Sequence, residues 1–447
     1  MALKALDIFK LLPKTNCKKC GCPTCLAFAM KLAQKQASLD QCPDVTAEAK
    51  AMLEGSAAPP IRLVTIGAGA KKLEIGNETV MFRHEESFYH PPGIGVIVPD
   101  TLGDADLAAR VEAIGKLQFV RVGTHIQSDI VAVANTSGKA DAFAKAVAAV
   151  QKLELPMVLM SKEPAHLDKA LAGCKDKKPL IHGATAENWE KYAAIAKEAG
   201  CPLALSGTDL DALAAAAEKV KAAGVEDIVL DLSSGSIAET LQALTAVRQL
   251  ALKKNVRSLG YPCLAISAAG QSAGEQVAEC CTYVAKYAGI VLTELYGPEQ
   301  ILPLLTLRMN LYTDPRKPIQ VEAKLNAVGA ATAQSPLLIT TNFSLTYYTV
   351  EGEVEASRVP AFIAAIDTDG TSVLTAFASD KLTAEKVAAF LKSDAVQGKV
   401  THKKVIIPGY IAVMSGALEE ESGWQVLVGP REASALPKYL KTVWKSE

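Results

Sequence analysis

I-G-V-I-V, residues 94–98, is an apolar run without a polar break, and runs of this kind recur down the chain. I-V-A-V follows from Ile130, M-V-L-M from Met157, P-L-I from Pro179 and P-L-A-L from Pro202. I-V-L-D-L from Ile228, P-C-L-A-I from Pro262 and G-I-V-L from Gly289 complete the series. A continuous apolar strand is buried on both faces, the mark of a parallel sheet covered by helices. Ala-rich stretches such as D-A-D-L-A-A-R-V-E-A-I and A-E-N-W-E-K-Y-A-A-I-A-K-E-A-G fall between the strands and read as helices. Eight strand–helix units in alternation predict an α/β protein built on a (β/α)8 TIM barrel. An open doubly wound sheet with fewer strands is the alternative.

The predicted strands end on Asp100, Asn135, Ser161, His182, Ser206, Asp231, Ser267 and Glu294, the face where barrel enzymes place their chemistry. No paired-histidine metal spacing occurs there, and no nucleophile has a base beside it. The barrel therefore reads as a scaffold or docking body. His84, His90, His125 and His166 show no ligand spacing, and Cys174, Cys201, Cys263 and the vicinal pair Cys280 and Cys281 read as core thiols.

On the N-terminal side, 61–89 reads as strands with a hairpin (R-L-V-T-I, L-E-I, T-V-M-F-R), and 51–60 as a linker. The opening M-A-L-K-A-L-D-I-F-K-L-L is a short amphipathic helix, not a signal peptide. Between them lies K-T-N-C-K-K-C-G-C-P-T-C-L-A-F-A-M, residues 14–30, followed later by Cys42-Pro43. Cys17, Cys20, Cys25 and Cys42 give C-x2-C-x4-C-x16-C, three thiols in one loop and a fourth from beyond a helix. Four-iron clusters are held in this way, with a Cys-Pro closing the set. A structural zinc site would show two C-x2-C knuckles well apart, whereas only Gly21 separates Cys17/Cys20 from Cys22/Cys25; zinc, and plain reduced thiols or disulfides, are the alternatives. Cys22 is the surplus thiol on this count, but spacing alone does not decide which of Cys20, Cys22 and Cys25 is left out. After Pro23 a helix is expected to pack Leu26, Met30 and Ala33, with Phe28 and Leu32 alongside, over the loop.

On the C-terminal side, L-Y-T-D-P-R-K-P-I-Q marks a second boundary around 314–318. P-L-L-I-T-T-N and F-S-L-T-Y-Y-T-V read as strands, followed by A-F-I-A-A-I, a helix from Thr383, K-V-I-I and W-Q-V-L-V. Three of these strands run into glycine turns, at Gly370, Gly409 and Gly429, where ligand atoms can approach the backbone. Thr340, Thr341, Asn342, Ser344, Thr346, Thr371, Ser372 and Thr375 would edge such a site with neutral hydroxyls, suited to a large ligand bearing amides. A Thr-rich strand surface is the plain alternative. No G-x-G-x-x-G dinucleotide fingerprint is present.

Lys+Arg 47 against Asp+Glu 48 leaves a net charge of −1, which builds no field for nucleic acid. No charge-free apolar run has the length and uniformity of a membrane span. A soluble, cytoplasmic chain in a reducing compartment is the expectation.

These motifs resemble the large (gamma) subunit family of the corrinoid iron–sulfur proteins of the reductive acetyl-CoA pathway. The resemblance covers the whole chain and is most specific in C-K-K-C-G-C-P-T-C-L-A-F-A-M with Cys42, T-T-N-F-S-L-T-Y-Y, D-T-D-G-T-S-V-L-T-A and V-G-P-R-E-A-S. It implies a 4Fe–4S module over 1–58, a linker and hairpin over 59–92, a TIM barrel over 93–318 and a Rossmann-like corrinoid-binding domain over 322–447. It implies cluster ligation by Cys17, Cys20, Cys25 and Cys42, with the Cys22 position variable. Corrinoid contacts are implied at Thr340, Asn342, Phe343, Ser344, Leu345 and Thr346, at Gly370, Thr371, Ser372, Val373, Leu374 and Thr375, and at Gly429, Pro430, Arg431, Glu432 and Ala433. Gly409 is a weaker candidate. The D-x-H-x-x-G motif that supplies a lower imidazole in many corrinoid proteins is missing, and His402 is the only histidine of 322–447, so a base-off corrinoid without a protein His ligand is implied.

The implied role is that of a methyltransferase component. The corrinoid cobalt takes a methyl group from methyltetrahydrofolate on a separate methyltransferase and gives it to acetyl-CoA synthase. The cluster reductively reactivates Co(II) to Co(I). The implied partners are a small subunit forming a heterodimer, that methyltransferase, acetyl-CoA synthase and a reductive activator, with no nucleic acid and no membrane. An electron-transfer module without corrinoid, and a structural subunit whose cluster only stabilises the fold, are the competing readings.

Overall fold

The computed structural model describes residues 5–33, 37, 41–46, 59–69, 71–86, 88–313 and 318–444. The linker expected at 51–60 and the boundary at 314–318 lie largely outside the described residues. The chain folds into two compact units, one of Met1–Gln118 with Gln127–Tyr312, the other of Phe119–Ile126 with Thr313–Glu447.

In the first unit an antiparallel pair, β1 (Val64–Ile66) and β2 (Leu73–Ile75), precedes strand β3 (Gly93–Pro99). A second pair, β4 (Gln118–Arg121) and β5 (Thr124–Gln127), which the apolar pattern did not reveal, comes next in the chain but falls, except for Gln118 and Gln127, in the second unit. Then follow β6 (Ile130–Ala134), β7 (Met157–Met160), β8 (Leu180–Thr185), β9 (Leu203–Ser206), β10 (Ile228–Asp231), β11 (Cys263–Ile266) and β12 (Ala288–Thr293). Strand β3 and strands β6 to β12 close into an eight-stranded parallel barrel in chain order, with β12 pairing back to β3. The eight apolar runs are its eight strands.

The β1–β2 hairpin packs against the beginnings of those strands. Val64, Ile66 and Ile75 join Ile130, Val158, Leu180, Val229 and Ile290 in one buried cluster. A methyl on Gly93 would come within 2.4 Å of the end of the Leu73 side chain, so the hairpin closes tightly over the strand start. The third stretch expected to be a strand, T-V-M-F-R at 79–83, is not one. The Glu85 carboxylate accepts the N–H groups of Met81 and Phe82, both at 3.0 Å, so those amides bond a side chain and not a neighbouring strand.

The N-terminal segment holds helices Ala5–Leu11 and Cys25–Ala33. The second helix buries Cys25, Phe28 and Ala29, while Leu26 and Met30 are 36% and 52% exposed. The expected apolar face was thus rotated about the helix: the i, i+3, i+4 stripe that turns inward is the one carrying Cys25.

In the second unit β13 (Leu325–Val328), β14 (Leu337–Thr341), β15 (Ala361–Ile366), β16 (Lys404–Ile407) and β17 (Gln425–Val428) form one sheet in the order β13-β15-β14-β16-β17. Only the edge strand β13 runs antiparallel. The chain leaves β14 for β15 on one side and returns to β16 on the other, so the winding reverses between β14 and β16. That reversal is where open α/β sheets hold their ligands. The expected strand F-S-L-T-Y-Y-T-V is instead the start of helix Ser344–Ser357. Its Tyr and β-branched residues favour strand locally, but Ser344, Tyr347, Val354 and Ser357 are buried at helical spacing. Packing on the sheet overrides propensity. Among the described residues no helix is long and apolar enough to cross a membrane.

Candidate functional site

A cavity of about 390 Å³ opens at the ends of β14 and β16, at the point where the winding reverses. Of the residues singled out in the sequence, Thr340, Leu345, Thr346, Ser372, Val373, Leu374, Gly429, Pro430, Arg431 and Ala433 line it. Sequence reasoning missed Leu338, Ile339, Thr349, Val350, Ile406, Ile407, Tyr410 and Leu436. Thr349 and Val350 follow Thr346 at i+3 and i+4, a signal that reading this segment as a strand concealed. The walls are apolar, and Leu345, Leu374 and Tyr410 at the cavity are 55%, 50% and 44% exposed. Only Tyr410 and Arg431 among the lining residues are titratable, so the cavity offers neither carboxylate nor imidazole.

Thr340 and Thr341 are fully buried, yet their hydroxyls have no hydrogen-bond partner. A buried polar atom left unpaired costs about 1–3 kcal/mol, and such atoms call for an explanation. Thr340 lines the cavity, so a ligand amide or hydroxyl entering there would satisfy it. Ser344, also buried and unpaired, faces a separate polar cavity of about 360 Å³ beside Gln320, Tyr347 and Glu351.

Other expected contacts shape the walls from behind. The Asn342 side chain donates to Gln320 (3.2 Å) and Asp367 (3.1 Å), and it accepts from the N–H groups of Thr368 (3.0 Å) and Gly370 (3.1 Å) and the Thr368 hydroxyl (3.1 Å). Its hydrogen-bonding capacity is taken up by Gln320 and by the loop that leads to Ser372. Gly370, at φ +69, faces Gln320 so closely that a Cβ would lie 2.6 Å from it. Phe343 pairs with Gln320 through the backbone, Thr371 donates to the Thr368 carbonyl at 2.7 Å, and Thr375 accepts from Ser372 at 3.1 Å. Glu432 accepts from the Tyr410 hydroxyl at 2.7 Å, which raises the phenol. Gly409 lets two loops meet: its N–H donates to the Pro430 carbonyl at 3.1 Å, and a Cβ would strike the Gly429 oxygen at 2.6 Å.

His402 has both ring nitrogens engaged. Nε2 donates to the Ser335 carbonyl at 2.8 Å, and Nδ1 accepts the Lys404 N–H at 3.2 Å. The ring lies edge-on to Trp424 and Trp444 at the start of β16, at the opposite end of that strand from the cavity.

At the N-terminus, Cys22, Cys25 and Cys42 are buried, Cys20 is half-buried and Cys17 is exposed. Burial raises the Cys42 thiol, and the charges of Cys20, Cys17 and Cys25 raise it further, so these four thiols share one neighbourhood. Among the described residues no three such side chains close on a single ion; the thiols gather around the loop without converging on one point. Gly21, at φ +75, turns the loop, while Ile8, Leu12 and Phe28 supply an apolar wall. Outside the thiols, Asp44 accepts from Cys17 at 3.5 Å and pairs with Lys19 at 3.0 Å. Four gathered thiols beside an apolar wall fit an iron–sulfur group.

At the strand ends of the barrel the polar residues satisfy one another. His182 Nε2 lies 2.8 Å from Asp231, and the Ser206 and Ser233 hydroxyls donate to the same carboxylate. Burial alone would raise Asp231, but the bonds from His182 and Ser233 outweigh it and hold the carboxyl low. Asp100 caps the loop at Thr136 and Ser137. Burial pushes Cys174 up to about 11 and Cys201, Cys263 and Cys280 up to about 12, as expected of core thiols.

The family described as CO dehydrogenase/acetyl-CoA synthase delta subunit matches residues 63–440, and an Fe-S cluster family matches residues 12–43, which contain the four cysteines. The corrinoid/iron-sulfur protein large subunit of Moorella thermoacetica is 47% identical over 442 residues, covering 99% of both chains. The acetyl-CoA decarbonylase/synthase complex subunit gamma of Methanothermobacter thermautotrophicus is 36% identical over 454 residues, covering 98% of this chain and 99% of its own. Among solved structures, dihydropteroate synthase of Thermus thermophilus superposes with a TM-score of 0.41 at 17% identity over 56% of this chain and 100% of that one, too loose a match to bear on function. The chain belongs to the family of corrinoid/iron–sulfur protein large subunits, the gamma subunits of acetyl-CoA decarbonylase/synthase complexes.

Proposed function

We propose that this chain is a methyl carrier of the acetyl-CoA pathway, with a corrinoid at the cavity beside β14 and a 4Fe–4S cluster on Cys17, Cys20, Cys25 and Cys42. The observation that carries the reading is the buried, unpaired Thr340 hydroxyl in an apolar cavity that contains no carboxylate and no imidazole. A site so lined points to reactivity supplied by what it binds. A corrinoid held there would supply methyl-transfer chemistry between methyltetrahydrofolate and acetyl-CoA synthase, and a cluster on Cys17, Cys20, Cys25 and Cys42 would supply the electron that keeps it reduced.

The chain's own residues bind, orient and exclude. Ligand cavities run from about 300 to 1,000 Å³, so a space of about 390 Å³ takes only part of so large a cofactor. Leu345, Leu374 and Tyr410 then present apolar surface to the remainder, and Thr340 receives a polar edge group. His402, fully engaged at the other end of β16, is not free to ligate cobalt, which supports the base-off state. The reading includes a small subunit completing a heterodimer and a reductive activator as partners. It assigns the cluster module to 1–58, the barrel scaffold to 93–318 and the corrinoid domain to 322–447.

Absorption of the purified heterodimer tests this. Corrin bands beside an iron–sulfur shoulder are expected, and a preparation lacking corrin bands refutes it. Cys20→Ala should spare methyl transfer from pre-reduced corrinoid and abolish reactivation; equal loss of both contradicts the division of labour.

A further inference from the structure

The geometry points to Asn16 as a positioning residue that clamps the cysteine loop and sets the electron affinity of the group the loop holds. Asn16 precedes Cys17 and meets Cys25 twice across nine residues of chain. Its side-chain oxygen accepts the Cys25 N–H at 2.8 Å, and its own N–H donates to the Cys25 sulfur at 3.4 Å. The two bonds require the left-handed backbone of Asn16, φ 49, a conformation that asparagine tolerates better than most residues and alanine avoids. The side-chain bond fixes where two ligand-bearing segments sit. The backbone bond places a donor on a ligand sulfur, where negative charge grows when an electron is added. Hydrogen bonds to ligand sulfurs are among the features that set cluster potentials.

Asn16 is itself exposed, and exposed substitutions away from special features change little. Large effects at this position therefore measure the two bonds. The inference rests on the reading that these cysteines hold an iron–sulfur cluster, and the experiment separates the two. Iron and sulfide per full-length chain, together with the cluster midpoint potential by titration under anaerobic conditions, are measured for the heterodimer and three variants.

Asn16→Ala removes the clamp and disfavours the left-handed turn, so the sulfur loses its donor. An approximately tenfold weaker hold on the added electron is expected, a shift of about 59 mV to more negative potential for a one-electron couple. Asn16→Gly keeps the turn and the N–H but loses the side-chain oxygen. Its potential should stay near that of the unaltered protein, while a chelator strips its iron several times faster. Asn16→Asp keeps the acceptor and the turn and should retain iron at the normal rate. A fully loaded Asn16→Ala with unchanged potential overturns the inference. If Asn16→Ala loses all its iron, the Asn16→Gly stripping rate decides, and a normal rate overturns it. An unaltered chain that takes up no iron and sulfide overturns the cluster reading, and this inference with it.

Discussion

Replacing Asn342 by alanine should loosen one wall of the cavity without touching the space inside it. In the folded protein this side chain satisfies the buried N–H groups of Thr368 and Gly370 and ties Gln320 to Asp367. Alanine leaves two buried donors without acceptors, each costing about 1–3 kcal/mol. The expected loss is roughly 4 kcal/mol, because both amides are buried. For a unit of this size that lowers Tm by roughly 8–16 °C. The second unit contains two of the three tryptophans, Trp424 and Trp444, so fluorescence in a Trp189→Phe background follows its unfolding in urea. Because the freed loop leads directly into Ser372, Val373 and Leu374, corrinoid release should also speed up by about tenfold, the factor that corresponds to about 1.4 kcal/mol. A loss below about 1 kcal/mol, or an unchanged release rate in a destabilised variant, would refute the view that Asn342 holds the wall in place.

Gly409→Ala forces a methyl into backbone atoms of Gly429, Pro430 and Arg431, all within 2.8 Å of the built position, and should cost about 1–3 kcal/mol; Gly416→Ala, whose methyl meets nothing within 4 Å, should be neutral or slightly stabilising when both are compared by urea midpoint. Raising the pH from about 8 to about 11 should lower the urea midpoint of the barrel unit beyond its general alkaline drift. Its buried thiols stay protonated to about 11 or 12 while unfolded ones ionise near 9.0, so the unfolded chain binds fewer protons and stability falls as pH rises. Cys263→Ala should flatten part of that dependence. His402→Ala should destabilise by about 1–3 kcal/mol through the lost Ser335 and Lys404 bonds yet leave the corrinoid absorption spectrum unaltered; a changed spectrum would show that the imidazole reaches the metal.

The barrel was legible because burial on both faces leaves a composition signature that needs no tertiary information. Runs such as Met157–Met160 and Ile228–Asp231 are almost wholly apolar and buried, and the helices between them keep a separate period. The hairpin β4–β5 was not legible for the converse reason: Q-F-V-R has no buried residue, and nothing in its pattern says what it joins. The misread segment at Ser344 shows the limit of local propensity. Tyr-Tyr-Thr-Val is a good strand until the preceding strand stops at Thr341 and the chain must turn.

The site divides along the same line. Glycines and hydroxyls marked the loops around Gly370, Gly409 and Gly429, because backbone conformation and close approach constrain residue type. Which of those residues face the cavity and which hold it open depends on bonds that spacing cannot express. Asn342 and Thr340 are two positions apart in neighbouring polar sequence, yet the Asn342 side chain bonds within the protein and the Thr340 hydroxyl has no partner. An unpaired hydroxyl at full burial calls for an explanation, and at Thr340, which lines the cavity, a polar group entering from outside the chain supplies one. With no titratable side chain but Tyr410 and Arg431 on the lining, completion by a ligand is the account that needs no further group. Thr340→Val tests this: a valine that stabilises the empty chain while weakening corrinoid retention marks the hydroxyl as kept for the ligand, whereas equal stability and unchanged retention would leave it without that role.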